Sequence, residues 1–258
     1  FSKYLHIKLS PNCYTCFMLK TLILAGGKGT RIKEYTENIP KPLIEANGKP
    51  LFMHIIKNYE KYGVNFFALL GGYKQEELVK YLESNFKKIS KNENLFQLET
   101  LSKVLVLDTG QQSMTGGRIR VALDYFEDTE FFLTYGDGIS DINIGNLFAF
   151  FNKTKKLATV TAVQPKARFG SLKLSENDVI EFNEKVDNKD TWINGGFFVI
   201  KREIKEIIKN EMILFEKEPL EHLAKTSNLS AYKHTGFWQP VDTIRDLEIL
   251  EIYLKNDK

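Results

Sequence analysis

The chain has 258 residues, of which 43% are hydrophobic and 27% charged, and its formal net charge is +3. This composition and length suit a globular protein with one sizeable α/β domain. The small net charge predicts neither nucleic acid nor a membrane surface as a partner, and no long apolar run predicts a membrane span. Since no signal-peptide pattern is found either, we expect a cytoplasmic protein.

The organised pattern begins at Met18, and the chain itself begins with Phe1. We expect residues 1–17 to be a tag, a translated upstream stretch or a disordered extension. This segment contains Cys13 and Cys16, a single CxxC pair. A structural zinc site needs four ligands, and a redox CxxC usually opens a helix after a strand, so neither function is assigned.

Predicted strands and helices alternate from residue 19 to residue 163. Apolar runs that end in glycine or turn residues predict strands at 19–25, 65–70, 130–134 and 158–163, with two more within 95–107. Helical periodicity covers 50–62, 74–85, 118–126 and 146–153. This βαβα alternation predicts a parallel sheet with helices on both faces.

The pattern changes after Gln164. Shorter strands are predicted at 171–174, 179–184, 195–200 and 229–234, helices near 202–209, 217–225 and 243–255, and a turn at Phe237-Trp238. We interpret residues 18–258 as a single domain. Its half 18–164 is expected to bind a nucleotide, and its half 165–258 the second substrate.

A glycine-rich loop follows the first predicted strand, as Leu24-Ala25-Gly26-Gly27-Lys28-Gly29-Thr30-Arg31. Its spacing matches neither a P-loop nor the dinucleotide fingerprint, which argues against a dehydrogenase. Glycines let backbone N–H groups approach an anion and leave room for a base, and the Arg31 guanidinium suits a phosphate chain. The alternative is a turn with a solvated arginine, but three glycines and two cations within six residues favour binding.

Lys41 lies between Pro40 and Pro42, whose rings stiffen the backbone on both sides of one charge. Taken alone, this segment predicts a positioned lysine or a surface turn equally well.

Two aspartates are candidate ligands for Mg²⁺. Asp137 follows the predicted strand 130–134 between two glycines, where parallel sheets bind ligands, although aspartate is also common in turns. Asp242 precedes the last predicted helix, and from the residues alone we interpret it as a helix N-cap.

The second half offers candidates for a sugar phosphate. Lys185 and Glu184 end a predicted strand, where they could hold a phosphate and a hydroxyl or simply be exposed. Asn194-Gly195-Gly196 is compatible with a hairpin turn or with a close approach to a sugar.

In their order along the chain, these motifs resemble those of the sugar 1-phosphate nucleotidyltransferases. The resemblance covers about residues 18–256, and within the family it is greatest to members that use CTP and glucose 1-phosphate. Three stretches carry that narrower likeness: 108–118, 134–138 and 236–243. Relatives that use UTP, dTTP or GTP lack the run at 108–118.

The resemblance implies a Rossmann-like, mostly parallel sheet flanked by helices, with an inserted smaller sugar-binding part. It implies in-line attack of the sugar phosphate on the α-phosphorus of CTP, Mg²⁺ as cofactor, a homo-oligomer, and a product used for deoxysugar and polysaccharide precursors such as O-antigen. Arg31 and Lys41 would be catalytic. The implied nucleotide-binding residues are Leu24, Ala25, Gly26, Gly27, Gly29, Thr30, Arg31, Lys41, Ser113, Arg118 and Gly136.

For the sugar phosphate, the resemblance implies Gly170, Glu184, Lys185 and Asn194; for the metal, Asp137 and Asp242. It thereby favours metal binding over capping for Asp242. Val186 stands where the family commonly has proline, which loosens the support of Lys185. There are two alternatives. The enzyme could use another nucleotide or another sugar phosphate, or the chain could be a non-catalytic regulatory subunit that binds a nucleotide sugar. The joint presence of Arg31, Lys41, Asp137 and Lys185 argues against the last.

Overall fold

The computed structural model describes residues 19–165, 171–183 and 191–256. The strands are β1 Lys20–Leu24, β2 Glu45–Ala46, β3 Lys49–Pro50, β4 Phe66–Gly71, β5 Lys87–Lys88, β6 Leu95–Gln97, β7 Lys103–Asp108, β8 Glu130–Tyr135, β9 Gly138–Ser140, β10 Ala158–Val163, β11 Ser171–Ser175, β12 Asp178–Asn183, β13 Ile193–Lys201, β14 Leu229–His234 and β15 Trp238–Pro240.

The α-helices are α1 Lys33–Thr36, α2 Leu51–Glu60, α3 Gln75–Asn85, α4 Thr115–Tyr125, α5 Ile144–Thr154, α6 Glu218–Lys225 and α7 Ile244–Asn256. Short 3-10 helices cover Thr30–Ile32, Lys41–Leu43 and Arg202–Ile207. The expectation for residues 1–17 and their two cysteines lies outside the described residues.

A nine-stranded sheet forms the centre of the described part of the chain, in the order β14-β10-β13-β8-β1-β4-β7-β6-β5. β8, β1, β4 and β7 run parallel to one another, as do β10 and β14. β13 is antiparallel to both of its neighbours, and β6 to both of its own. The sheet is therefore mostly parallel, which confirms the predicted α/β fold.

Helices cover both faces of this sheet. Successive residues of its strands therefore pack in two different hydrophobic clusters, one on each face. In β1, Ile23 packs in a cluster with side chains of α2, α3, α5 and α7. Its neighbours Leu22 and Leu24 pack in a second cluster with side chains of α4 and α6. This alternation follows from the two-residue period of a strand and makes the central strands buried on both sides.

Four local expectations were wrong. We expected α4 to begin at residue 118, because Gly116-Gly117 weaken a helix pattern. Both glycines are helical, and α4 begins at Thr115. α5 begins at Ile144, because the side chain of Asn143 caps it by accepting from the amide of Asn146. The predicted helix near 202–209 is a 3-10 helix. The predicted aromatic turn contains the start of β15.

The pairing of β15 with β9 positions two distant segments beside each other. Pro240 pairs with Gly138 in this antiparallel ladder, and the amide of Val241 donates to the carbonyl of Asp137 at 2.9 Å. Residues just before β9 and just after β15 therefore lie together at the end of β8.

In the described ranges, the helices lack the combined length and apolar character needed to cross a bilayer.

Candidate functional site

A cleft of about 490 Å³ opens where β1 and β8 end. All of the predicted nucleotide-binding and metal-binding residues line it: Leu24, Ala25, Gly26, Gly27, Gly29, Thr30, Arg31, Lys41, Ser113, Arg118, Gly136, Asp137 and Asp242. These residues come from the end of β1, from the loops after β1, β7, β8 and β15, from the 3-10 helices at Thr30–Ile32 and Lys41–Leu43, and from α4. The location agrees with the general rule that α/β sheets bind ligands at the carboxyl ends of their strands.

Two cations and two carboxylates meet at one end of the cleft. The Nζ of Lys41 lies 2.6 Å from Oδ2 of Asp137 and 2.7 Å from Oδ1 of Asp242. The Nη1 of Arg31 lies 2.9 Å from the other oxygen of Asp242. The Lys41 side chain is only 11% exposed, whereas the Arg31 side chain is 76% exposed and reaches the cluster from solvent.

The ion pairs fix the charges in this cluster. Burial alone would lower the pKa of Lys41, but the neighbouring carboxylates of Asp137 and Asp242 raise it above its usual value. Burial would likewise raise the pKa of Asp242, but Lys41 and Arg31 hold it below its usual range. Near neutral pH, a charged Lys41 ammonium is therefore held against an ionised Asp242 carboxylate.

The last helix does not depend on Asp242 for its N-cap. The hydroxyl of Thr243 accepts from the amide of Asp246 at 3.2 Å and donates to the Asp246 carboxylate at 2.8 Å. The Thr243 side chain therefore caps the helix, and the Asp246 carboxylate also accepts from the amide of Asp242 at 3.2 Å. The first interpretation of Asp242, as the cap, was therefore wrong, and its carboxylate points at Lys41 and Arg31 instead.

Arg118 is 4% exposed and holds three loops together from beneath the cleft. Its guanidinium donates to the carbonyls of Gly26, Gly71 and Gly110 and to the hydroxyl of Thr109, at 2.6–2.9 Å. Burial lowers its pKa from the usual value. A β-carbon added to Gly26 would lie 2.3 Å from this guanidinium, so the glycine is required for the contact.

Asn194, predicted on the sugar side, lies within β13, which excludes the hairpin-turn interpretation. Its Oδ1 accepts from the amide of Gly196 at 2.8 Å, and its Nδ2 donates to the hydroxyl of Tyr135 at 3.2 Å. Tyr135 lines the cleft, so Asn194 is joined to it by one hydrogen bond. The other three predicted sugar-side residues, Gly170, Glu184 and Lys185, lie outside the described residues.

The model of the nucleotidyl transferase family matches residues 20–253. The chain belongs to the nucleotidyl transferase family. It is 40% identical, over 243 residues, to the glucose-1-phosphate cytidylyltransferases of Salmonella typhi and Salmonella typhimurium, a match that covers 90% of this chain and 95% of each relative. The structure of the inositol-1-phosphate CTP transferase from T. maritima is similar with a TM-score of 0.67, 17% identity and coverage of 93% and 96% of the two chains. The likeness to this solved structure supports the fold.

The carboxylates of this nucleotidyl transferase suit a divalent cation. Asp137 and Asp242 both contact Lys41 Nζ within 2.7 Å, so the two carboxylates face the same position in the cleft. Such hard oxygen ligands are those that Mg²⁺ takes, usually one or two carboxylates completed by phosphate oxygens and water. The described residues contain no group of three or more His, Cys, Asp or Glu side chains placed to bind a metal.

Several cleft residues of this nucleotidyl transferase were not predicted. They are Lys28, Pro42, Gln111, Gln112, Met114, Thr115, Tyr135 and Leu214. All of them except Leu214 lie within stretches that the sequence analysis recognised, so the run at 108–118 could have drawn attention to its two glutamines. Leu214 comes from a loop without any motif, and only the fold brings that loop to the cleft.

Proposed function

We propose that this nucleotidyl transferase transfers the cytidylyl group of CTP to α-D-glucose 1-phosphate, giving CDP-glucose and pyrophosphate. The observation that carries the proposal is the cluster of Lys41, Asp137 and Asp242 beside the glycine-rich loop. This cluster lies in a chain that is 40% identical to two glucose-1-phosphate cytidylyltransferases over most of both lengths.

The geometry supports an in-line displacement that needs no protein nucleophile. Backbone N–H groups of the loop at residues 26–30 and the Arg31 guanidinium would hold the triphosphate. Lys41 would neutralise charge at the α-phosphate. A sugar phosphate oxygen then forms a bond to the α-phosphorus as the bond to pyrophosphate breaks. Catalysis of this kind depends on positioning and charge stabilisation.

We further propose that Asp137 and Asp242 hold Mg²⁺. When bound, the ion neutralises charge on the phosphates and on the departing pyrophosphate. The two carboxylates already face the cation Lys41, so they are placed to bind a positive group at this position. Lys41 would then turn from the carboxylates to the phosphate.

Selection of cytosine is assigned to Gln111, Gln112, Ser113 and Met114, which line the cleft. Other residues of the 108–118 run have structural contacts: Thr109 donates to the Gly71 carbonyl, and Arg118 holds three loops. A glutamine amide offers both a donor and an acceptor, as does the polar edge of cytosine with its N4 amino group. The exposed glutamines are therefore the candidates for reading the base.

The proposal of glucose as the sugar depends on the likeness to the two cytidylyltransferases. The predicted residues for the sugar phosphate are still Gly170, Glu184, Lys185 and Asn194. The homo-oligomer, the cytoplasmic location and a role in deoxysugar or O-antigen precursor synthesis also stay predictions.

Steady-state pyrophosphate release tests the proposal with CTP, UTP, dTTP and GTP against a panel of sugar 1-phosphates. We expect pyrophosphate release when CTP, glucose 1-phosphate and Mg²⁺ are all present, and none when any of the three is left out. Release with another pair and not with this one would contradict the assignment. Binding of CDP-glucose without any turnover would favour the non-catalytic regulatory subunit.

A further inference from the structure

The carboxylate of Glu216 joins two residues of the cleft that come from different parts of the fold. Oε1 of Glu216 accepts from the hydroxyl of Tyr135 at 2.7 Å, and Oε2 accepts from the hydroxyl of Thr115 at 2.6 Å. Both hydroxyl residues line the cleft, and Glu216 itself lies just before α6. Hydrogen bonds to a carboxylate are about twice as strong as neutral ones.

On one side, Glu216 holds the segment that begins α4. Thr115 is the first residue of that helix, and its hydroxyl also accepts from the amide of Phe215 at 2.9 Å. The carboxylate therefore lies near the positive end of the helix, where a negative charge is stabilising. Residues 111–114, to which base selection is assigned, immediately precede this helix.

The rest of the segment 211–216 packs along the same stretch of chain. The amides of Met114 and Gly116 donate to the carbonyls of Glu211 and Ile213 at 2.8 Å and 2.9 Å. A β-carbon on Gly117 would lie 2.2 Å from the Glu211 carbonyl oxygen, so only glycine permits this approach. Gly116 and Gly117 thus serve the packing of segment 211–216.

On the other side, Glu216 fixes the hydroxyl of Tyr135. Because a carboxylate only accepts, the single hydroxyl proton of Tyr135 is directed to Glu216 and its oxygen is left to accept from Asn194 at 3.2 Å. Burial, together with the Glu216 charge, raises the pKa of Tyr135 well above its usual value, so the hydroxyl keeps its proton. Tyr135 directly precedes Gly136 and Asp137.

We propose that Glu216 is a positioning residue that holds the base-recognition loop and the sugar-side residues Tyr135 and Asn194 in one register. The inference depends on the proposed function of the cleft and adds a residue that couples its two substrate positions. A carboxylate is required because two hydroxyl donors must be accepted at once. A glutamine has one carbonyl oxygen, so it would lose one of these bonds and keep the other only as a weaker, uncharged hydrogen bond.

Kinetics of single variants test the coupling. Thr115→Val removes the hydroxyl that donates to Glu216 and accepts from the Phe215 amide, both on the side of the nucleotide loop. We therefore expect KM for the nucleotide to rise about tenfold while KM for the sugar phosphate stays within about twofold. Tyr135→Phe removes the hydroxyl that donates to Glu216 and accepts from Asn194, both on the sugar side. It should therefore raise KM for the sugar phosphate about tenfold and leave KM for the nucleotide within about twofold. Glu216→Gln should raise both KM values by at least about fivefold and leave kcat within about threefold.

The double variant Glu216→Gln/Tyr135→Phe should raise KM for the sugar phosphate by less than the product of the two single effects, because the two residues share one bond. Glu211→Gln is the matched control, since this glutamate lies in the same segment and contributes its carbonyl to the packing. A lower melting temperature for Glu216→Gln with both KM values unchanged, or a rise in only one of them, would overturn the proposal.

Thr115→Ser keeps the hydroxyl and should restore the wild-type KM for the nucleotide, which keeps the test decisive if Glu216→Gln fails to fold. Should Thr115→Ser behave like Thr115→Val, the hydroxyl bond is not the cause and the inference is wrong. All variants are compared with the nucleotide and sugar phosphate that the wild-type chain turns over. Failure of the CTP and glucose assignment would therefore be seen in the wild type, separately from failure of the coupling.

Discussion

The ammonium of Lys41 donates to the carboxylate of Asp137 at 2.6 Å, across 96 residues of sequence. The same ammonium donates to Asp242 at 2.7 Å. The pairing of β9 with β15 brings the two aspartates together, and the 3-10 helix at Lys41–Leu43 places the lysine between them. This three-residue cluster is the centre of the proposed chemistry.

Asp137→Asn removes one charge from the cluster with almost no change in shape. We expect kcat to fall on the order of a hundredfold or more, because the variant loses both a metal ligand and the partner of Lys41. Pyrophosphate release under saturating substrates measures the effect. Asp128→Asn, which breaks only the peripheral ion pair with Lys20, is the control. Near-normal turnover of Asp137→Asn would rule out its role.

Arg31→Lys keeps a positive charge but loses the planar fork that can bind two phosphate oxygens at once. We expect kcat to fall on the order of tenfold to a hundredfold, because triphosphate positioning is lost while the charge remains. The contact with Asp242 at 2.9 Å would be only partly replaced. An unchanged kcat would mean that Arg31 is a solvated surface residue, the alternative raised by its high exposure.

Arg118→Met tests whether this arginine supports the cleft from below. Three backbone carbonyls would lose a charged donor, so we expect the free energy of unfolding to fall by about 2–4 kcal/mol. Urea unfolding followed by circular dichroism measures it. Arg245→Met, at an exposed position of α7, should change it by less than about 0.5 kcal/mol. Equal stability of the two variants would contradict the structural role of Arg118.

The sequence predicted most of the central sheet because buried strands between glycines or turn residues are locally distinctive. β10 and β14 were predicted with the bounds observed. The cluster of Lys41, Asp137 and Asp242 was predicted only through the family resemblance, since each residue alone also fitted a turn or a cap. Glu216 could not be predicted, because no motif surrounds it and both of its hydroxyl partners are at least 81 residues away.

His54 gives this protein a pH-dependent stability. Burial lowers its pKa in the folded state, and an unfolded histidine titrates near about pH 6.5. The unfolded chain therefore binds more protons below that pH, so the free energy of unfolding should fall as the pH drops from about 7 toward 5. His54→Gln, which can still donate to the Ala46 carbonyl, should show a smaller fall. Identical pH profiles for the two proteins would contradict this.

The most direct test of the central claim is one competition reaction. The protein is mixed with glucose 1-phosphate, Mg²⁺ and equal concentrations of CTP, UTP, dTTP and GTP, and the nucleotide sugars are identified by mass spectrometry. We expect CDP-glucose to be the dominant product, formed in an amount equal to the pyrophosphate released. Dominance of another nucleotide sugar, or no product at all, would contradict the account.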